Sequence, residues 1–282
     1  FNSSGKENTF VGNFAGNLNV TGLFTSFFGS FAGNNNKVDG SSFFGYRAGT
    51  SNGTGLRNSF FGFQAGEANQ SDNDNSFFGY KAGNNSFSGS GNSFFGSSAG
   101  IVNSTGDQNS FFGSSSGLAN NSGSENAFFG EKSGFINTTG TGNTFFGFRA
   151  GETTVSDSFN TALGYRSLAV SGNGNIAVGS GAVAAGGFTT TVGYNSFGNG
   201  LDNTILGSNI TVGGGTPVNH STAIGSDAVV TTSNTIMLGT NIDTVRVPKD
   251  IITAGTAKSN VVQVTGAMFL PYLTPPLLGD FQ

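Results

Sequence analysis

Residues 92–100 read Asn-Ser-Phe-Phe-Gly-Ser-Ser-Ala-Gly, and residues 143–151 repeat the pattern as Asn-Thr-Phe-Phe-Gly-Phe-Arg-Ala-Gly. The first glycine of this motif, the anchor glycine, returns along more than half of the chain. Eight of the nine steps between successive anchors are 17 residues, and one is 16. A period this short predicts one turn of a solenoid, in which each coil contacts only its neighbours. These anchors are Gly12, Gly29, Gly45, Gly62, Gly79, Gly96, Gly113, Gly130, Gly147 and Gly164.

The anchor continues beyond Gly164 with shorter steps. It recurs at Gly179, Gly193, Gly207, Gly225 and Gly239, with steps of 15, 14, 14, 18 and 14 residues. The chain therefore divides into a Phe-Phe-Gly shaft at 1–164 and a region of mostly 14-residue coils at 165–239. Four of the five prolines follow, so 240–282 is predicted to be a C-terminal cap or docking segment that covers the last coil.

The residues before each anchor favour an all-β fold. A hydroxyl residue followed by two aromatic residues is typical of a short strand. The anchor glycine, and the glycine four residues later, permit the positive-φ corners of a tightly coiled chain. Collagen is excluded because glycine does not fall at every third position. Disorder is disfavoured because 30 phenylalanines in regular phase form an apolar stripe that disordered segments lack.

The paired phenylalanines predict self-association. Adjacent side chains of a strand point to opposite faces, so one ring of each pair enters the coil and the other leaves it; we take Phe94 as an outward ring. A column of outward rings would exceed what soluble monomers expose. Three chains around one axis suit this geometry, although spacing does not distinguish two chains from three. In the alternative, both rings lie inside a wide monomeric solenoid. The pairs are Phe27 and Phe28, Phe43 and Phe44, Phe60 and Phe61, Phe77 and Phe78, Phe94 and Phe95, Phe111 and Phe112, Phe128 and Phe129, and Phe145 and Phe146.

Two segments of the second region resemble a known family. Residues 177–182 read AVGSGA and residues 222–228 read TAIGSDA, which resembles the AIG-x-x-A motif of the YadA-like head in trimeric autotransporter adhesins. The Phe-Phe-Gly repeats resemble the shafts of bacterial and phage-type tail-fibre proteins. The resemblance covers roughly residues 8–248 and implies a left-handed parallel β-roll, a homotrimer and attachment to a surface. The departure is Phe-Phe where adhesin heads usually carry small or aliphatic residues.

The polar stretches between motifs, such as residues 101–108, are predicted to be surface loops in register along one edge. Such a row is either a binding face or a hydrated spacer. Asn-x-Ser/Thr triplets begin at Asn69, Asn103 and Asn137, so N-glycosylation stays open.

The composition limits the classes of partner that the chain is expected to bind. Charged residues are 9% of the chain and the formal net charge is −4, so no basic surface for nucleic acid is expected. No cysteine is present, and no apolar run is long enough to span a membrane. Five cationic residues share one position of the coil, two residues after the anchor glycine. Glu67 and Glu152 lie near enough to this position along the repeat to form ion pairs with them. The alternative is that the cations form a stripe that binds a polyanionic ligand. These cations are Arg47, Lys81, Lys132, Arg149 and Arg166.

No catalytic, cofactor or metal site is predicted. His220 is the only histidine, and no GxSxG-type motif accompanies it. Asp72-Asn73-Asp74 resembles a fragment of a calcium loop without the remaining ligands. The sequence therefore favours a non-enzymatic extracellular fibre on a cell surface or phage-like particle, with a glycan or protein receptor possible. A structural filament with end-to-end assembly and a polysaccharide-cleaving tailspike are the alternatives.

Overall fold

The computed structural model describes residues 4–240, 242 and 243, and these residues form twenty short β-strands and no helix. The predicted cap at 240–282 therefore lies almost entirely outside the described residues. In chain order the strands are β1 (Thr9–Val11), β2 (Ser26–Phe28), β3 (Ser42–Phe44), β4 (Ser59–Phe61), β5 (Ser76–Phe78), β6 (Ser93–Phe95), β7 (Ser110–Phe112), β8 (Ala127–Phe129), β9 (Thr144–Phe146), β10 (Thr161–Leu163), β11 (Leu168–Val170), β12 (Ile176–Val178), β13 (Val183–Ala185), β14 (Thr190–Val192), β15 (Phe197–Asn199), β16 (Thr204–Leu206), β17 (Thr211–Val212), β18 (Thr222–Ile224), β19 (Val229–Val230) and β20 (Ile236–Leu238).

The strands build two parallel sheets whose register follows the repeat. The first sheet has 15 strands, β1 to β10 followed by β12, β14, β16, β18 and β20, and the second has five, the odd-numbered strands from β11 to β19. Each motif pairs with the same position of the next, as Phe94 does with Phe111 and Phe95 with Phe112. The predicted all-β parallel solenoid is confirmed. Coils before β10 carry one strand each, and later coils carry two.

The first phenylalanine of each pair fills the interior of its coil. Its side chain is fully buried in all eight pairs, from Phe27 to Phe145. Successive rings stack 4.8–4.9 Å apart with interplanar angles of 4–11°. The prediction that Phe94 points outward is therefore wrong: Phe94 lies inside and Phe95 lies outside. The pairing of one inward and one outward ring was right, but alternation alone does not say which ring enters the coil.

The inward ring also explains the glycine four residues after the anchor. A Cβ atom at Gly33 would lie 2.6 Å from the ring of Phe27, and its φ is +57°. Glycine is required there because one edge of the ring lies against the backbone of the returning chain. Where the inward residue is alanine, as at Ala177, this position holds the strand residue Val183, and the coil is shorter. The 17-residue coils thus have a large inward side chain, phenylalanine, and the coil at Ala177, which has a small one, is 14 residues long.

The stretch at residues 101–108 is part of the coil wall rather than a free loop. Asn103 and Gly106 are buried, and Asn109 begins the next motif with its side chain buried as well. The predicted surface position holds for most residues of this stretch, but every third residue turns inward. The residues between them face solvent.

Two columns of buried asparagines replace apolar packing along this wall. In the strand-side ladder, the Asn109 backbone N–H donates to Asn92 Oδ1 at 2.9 Å, and Asn109 Nδ2 donates to the Gly123 carbonyl at 2.8 Å. In the loop-side ladder, Asn120 Nδ2 donates to Asn103 Oδ1 at 2.6 Å and to the Gly123 carbonyl at 2.8 Å. The strand-side amide satisfies a backbone carbonyl of the next coil, and the loop-side amide satisfies one of its own coil, as buried polar groups must.

The three Asn-x-Ser/Thr triplets named above, which are not the only ones in the chain, begin in the loop-side ladder. Asn69, Asn103 and Asn137 are fully buried. The Nδ2 atoms of Asn103 and Asn137 donate to the carbonyls of Gly106 and Gly140 at 2.7 and 3.0 Å. A glycan on Nδ2 would occupy the interior, so the folded coil excludes modification at these positions.

Exposed polar side chains of the same wall link successive coils. The Leu56 N–H donates to Asn73 Oδ1 at 2.7 Å, and the Asn73 N–H donates to Ser90 Oγ at 3.1 Å. The Ser90 N–H then donates to Asp107 Oδ1 at 2.7 Å. These side chains supply acceptors that a regular strand would take from the neighbouring backbone. The hydrogen bonds between coils are thus sufficient to explain why these positions hold polar residues, and no bound ligand is needed to explain them.

Candidate association face

The outward side of the 15-stranded sheet carries an unbroken apolar stripe. The last residue of every strand in this sheet points away from the coil interior and is aliphatic or aromatic. We call this set the outer stripe. It comprises Val11, Phe28, Phe44, Phe61, Phe78, Phe95, Phe112, Phe129, Phe146, Leu163, Val178, Val192, Leu206, Ile224 and Leu238.

The phenylalanines of the outer stripe shelter one another only in part. From Phe28 to Phe129 the rings stack 4.6–4.8 Å apart with interplanar angles of 2–10°. This stacking leaves them half-buried, because each ring covers the faces of its neighbours and leaves its edge in solvent. The side chain of Phe146, which is followed by Leu163 rather than by another ring, is 55% exposed. The fold therefore holds the rings of the outer stripe in a regular stack but leaves them partly exposed to solvent.

The other outward row of the sheet is small and uncharged. The first residue of each strand is serine or threonine in most coils, and Ala127, Ile176 and Ile236 are the exceptions. No charged side chain stands at either outward position of any described strand in this sheet. A sheet face exposed to water normally carries charges that discourage association. This face lacks that protection over all 15 strands.

Exposed aromatic residues extend the apolar surface around the corner of the coil. The residue after the anchor glycine is Tyr46, Phe63 and Tyr80 in three successive coils, and their rings stack at 5.2 and 5.5 Å. Phe148 and Tyr165 repeat the arrangement at 5.4 Å. In the intervening coils the same position holds serine or glutamate, so the coil itself does not require an aromatic residue there.

The cations that share one phase lie beside these aromatic residues. Arg47 Nε lies 2.9 Å from Glu67 Oε1, and Arg149 Nε lies 3.5 Å from Glu152 Oε1, which confirms the predicted pairing with Glu67 and Glu152. The other three cations lie over aromatic rings, at 5.3 to 5.7 Å from the ring centroid. These contacts are Lys81 with Tyr80, Lys132 with Phe135, and Arg166 with Tyr165.

The remaining candidate residues do not converge on one site. His220 is exposed, and its Nε2 lies 3.4 Å from Asp202 Oδ2. Within Asp72-Asn73-Asp74, the Asp72 side chain turns inward, Asn73 accepts from a backbone N–H, and Asp74 pairs with Arg57. Across the described part of the chain, no group of three or more histidine, cysteine or acidic residues is placed to hold a metal ion.

The corner glycines fix where the outer stripe ends on each coil. The predicted set, Gly29, Gly45, Gly62, Gly79, Gly96, Gly113, Gly130, Gly147 and Gly164, has φ values of +133° to +143°. A Cβ atom at Gly29 would lie 2.7 Å from the carbonyl carbon of Gly45. The backbone therefore turns within one residue of each outward ring. The sequence interpretation missed the continuation of the stripe from Leu163 to Leu238, although the apolar residue before each anchor could have revealed it.

Comparison with known proteins assigns no family to this chain. No protein-family model matches it, and no curated protein shows significant similarity to it. The residues that the structure describes include no helix long and apolar enough to cross a membrane.

Proposed function

We propose that this chain forms a homotrimeric extracellular fibre, in which three left-handed rolls bury their outer stripes against one another and project from a cell surface or phage-like particle. The observation that carries the proposal is the charge-free apolar face that runs along all 15 strands of the first sheet. Each half-buried ring that remains in water forgoes part of the roughly 1.5–3 kcal/mol that burial of such a side chain provides. Neighbouring chains are the simplest source of cover.

A second copy fits this face better than an unrelated partner does. The outer stripe repeats with the coil, so its natural complement has the same axial repeat, and another copy of the chain supplies one. A heterologous ring of subunits closes when the rotation permits it. The corner aromatics, such as Tyr46 and Phe63, continue the stripe and offer a second apolar surface for a neighbour. The segment at 240–282 is proposed to cap the last coil or dock it to the rest of an assembly.

The proposed role is attachment without catalysis. A repeat structure in which each coil packs on the next can hold its far end at a fixed distance from its base. The fibre would therefore project a tip, or present its solvent-facing residues, to a receptor on another surface. Binding to whole cells or to immobilised glycans separates an adhesin from an inert filament. Release of reducing sugar from a polysaccharide would instead favour a tailspike.

Replacing Phe95 with serine is expected to weaken association without unfolding the coil. Phe95 lies in the outer stripe and contacts its own chain mainly through the rings of Phe78 and Phe112. Loss of the buried ring corresponds to roughly 1.5–3 kcal/mol per chain, or about a tenfold or greater rise in the dissociation constant. Sedimentation or light scattering over a dilution series measures this shift.

Phe87→Ser is the matched control, because Phe87 is an exposed phenylalanine on the loop wall, away from the sheet face. It should leave the oligomer unchanged. A triple variant, Phe78→Ser, Phe95→Ser and Phe112→Ser, should be monomeric. If this variant keeps its native mass while folded, or if the unaltered chain is monomeric at micromolar concentration, association through the outer stripe is wrong.

A further inference from the structure

The loop-side ladder of asparagines is interrupted at Ser86 and at Thr154, and the first interruption adjoins a buried acidic residue. In a regular step, Asn52 Nδ2 donates to Asn36 Oδ1 at 2.6 Å and to the Gly55 carbonyl at 2.7 Å. The next member, Asn69, instead donates from Nδ2 to Asp72 Oδ2 at 3.1 Å. A carboxyl group has therefore entered the interior of a wall that is built mainly of amides and glycine. Asp157 stands in the same phase, beside Thr154, but it is only half-buried.

Two residue changes in adjacent coils accommodate this carboxyl group. Asp72 stands where the preceding coil has Gly55, and a Cβ atom at Gly55 would lie 2.7 Å from Asn58 Nδ2, so a regular step has no space for a side chain. Ser86 stands where the ladder would place its next asparagine. The shorter serine leaves space, and its Oγ donates to Asp72 Oδ2 at 3.1 Å. The two changes fit together as a pair.

The arrangement leaves two oxygen atoms without a donor. Asn69 Oδ1 and Asp72 Oδ1 are both buried and accept no hydrogen bond within the described residues. The Asp72 side chain is 1% exposed, and no lysine, arginine or histidine of the described residues forms an ion pair with it. An ionised carboxylate in this place would be buried without a cation beside it, and hydrogen bonds such as those from Asn69 and Ser86 to Oδ2 would only partly offset the cost of burial.

We propose that Asp72 binds a proton inside the folded coil and that its Oδ1–H donates to Asn69 Oδ1. One proton then satisfies both orphan oxygens and completes a pair of hydrogen bonds between the two side chains, with Asn69 Nδ2 donating in the opposite direction. Ionisation removes the donor and leaves two acceptors facing each other. The coil around Asp72 is therefore a pH-sensitive step in an otherwise uniform shaft.

The surroundings of Asp72 support this assignment. Burial, and to a smaller extent the negative charge of Asp107, raise the pKa of Asp72 from 3.8 to about 6. The hydroxyl of Ser86 and the backbone N–H of Gly89 oppose the rise. In the coil's own outer surface, the nearby Asp74 carboxylate is paired with Arg57 at 2.6 Å, and both side chains are exposed. No cation faces the Asp72 carboxyl group from the preceding or the following described coil.

The sign of the pH dependence follows from the direction of this shift. A folded-state pKa above the unfolded value means that the folded coil binds the proton more tightly. The resulting stability is fully present below about pH 4 and is lost as the pH rises from about 4 to about 6. Ionisation at neutral pH therefore weakens this coil, in contrast to the usual behaviour of an ion-paired aspartate.

The experiment compares the unaltered full chain with Asp72→Asn at pH 3.5 and pH 7.5. The amide of Asp72→Asn supplies the donor to Asn69 Oδ1 permanently. We expect the two unfolding equilibrium constants to be similar at pH 3.5, and that of the unaltered chain to be about a hundredfold larger at pH 7.5. Denaturant titration followed by circular dichroism measures this ratio, and difference infrared spectroscopy should show a protonated carboxyl band at pH 5 that Asp72→Asn lacks.

Two further variants complete the test. Asp72→Gly with Ser86→Asn rebuilds the regular ladder and should also remove the pH-dependent difference. Asp39→Asn is the control, because Asp39 is an exposed carboxylate that accepts from the Leu23 N–H, and it should retain the pH dependence of the unaltered chain. Equal pH profiles for the unaltered chain and Asp72→Asn would overturn the proposal. Stabilisation of the unaltered chain, but not of Asp72→Asn, by calcium at pH 7.5 would also overturn it, with a cation in place of the proton.

Discussion

Replacing Gly96 with alanine is expected to destabilise the shaft strongly, as the same change would at the other anchor glycines of the Phe-Phe-Gly region. Gly96 has a φ of +143°, and a Cβ atom there would overlap the Gly113 carbonyl group of the next coil. Strained backbone of this kind costs of order 1–3 kcal/mol by itself. The overlap adds to this cost, because the carbonyl belongs to a backbone that the parallel ladder holds in place. We expect a loss of at least about 3 kcal/mol.

Denaturant unfolding followed by circular dichroism measures this loss, and Gly53→Ala provides the matched control. Gly53 lies in the wall of the same shaft, and a Cβ atom there would meet nothing closer than the Gln70 carbonyl at 3.5 Å. The control should be close to neutral. Equal stability of the two variants would contradict the close approach of successive anchor glycines.

Truncation of Phe94 to alanine is expected to be the largest effect of a core substitution. Phe94 is fully buried, and its ring stacks at 4.8 Å on both Phe77 and Phe111. Phe→Ala changes in protein cores cost about 3–5 kcal/mol because the cavity collapses only partially. Here collapse is limited further, because the 17-residue coil and the contact between the ring edge and Gly100 both depend on the presence of a ring. Amide hydrogen exchange should show opening centred on β5, β6 and β7.

Phe95→Ala provides the control for Phe94→Ala within the same dipeptide. The two substitutions remove identical side chains from opposite faces of one strand. We expect Phe94→Ala to lower the stability of the coil, and Phe95→Ala mainly to weaken association. If Phe95→Ala opened the coil while Phe94→Ala changed only the oligomer, the assignment of inward and outward rings would be reversed.

Much of the fold could be predicted from the spacing of one glycine. The steps of the anchor predicted a solenoid, and the composition before it predicted short strands at the places where β2 to β9 are found. The pairing of Arg47 with Glu67 also followed from phase alone. These predictions succeed because, in a solenoid, residues that are one repeat apart in the sequence are neighbours in adjacent coils.

The errors arose where a residue type admits two environments. Asn103 looked like a surface residue because asparagine is common in loops, yet its amide is buried. Its Nδ2 donates to the Gly106 carbonyl of the same coil, and its Oδ1 accepts from Asn120 of the next coil. Asp72 resembled part of a calcium loop, and its inward direction became visible only in the coil. Alignment of the repeats to one another contains a usable signal, since glycine recurs three residues after most loop-side asparagines.

The sequence by itself determined the period of the coil, the all-β class and the presence of one inward and one outward aromatic residue per motif, because these depend on chain geometry that every coil shares. Only the tertiary structure decided that Phe94 enters the coil and Phe95 leaves it, and that asparagines build the opposite wall. Adjacent phenylalanines are chemically identical, so their environments are distinguished only by the returning chain. That chain places Gly100 against the ring of Phe94 and leaves no backbone against the outward edge of Phe95.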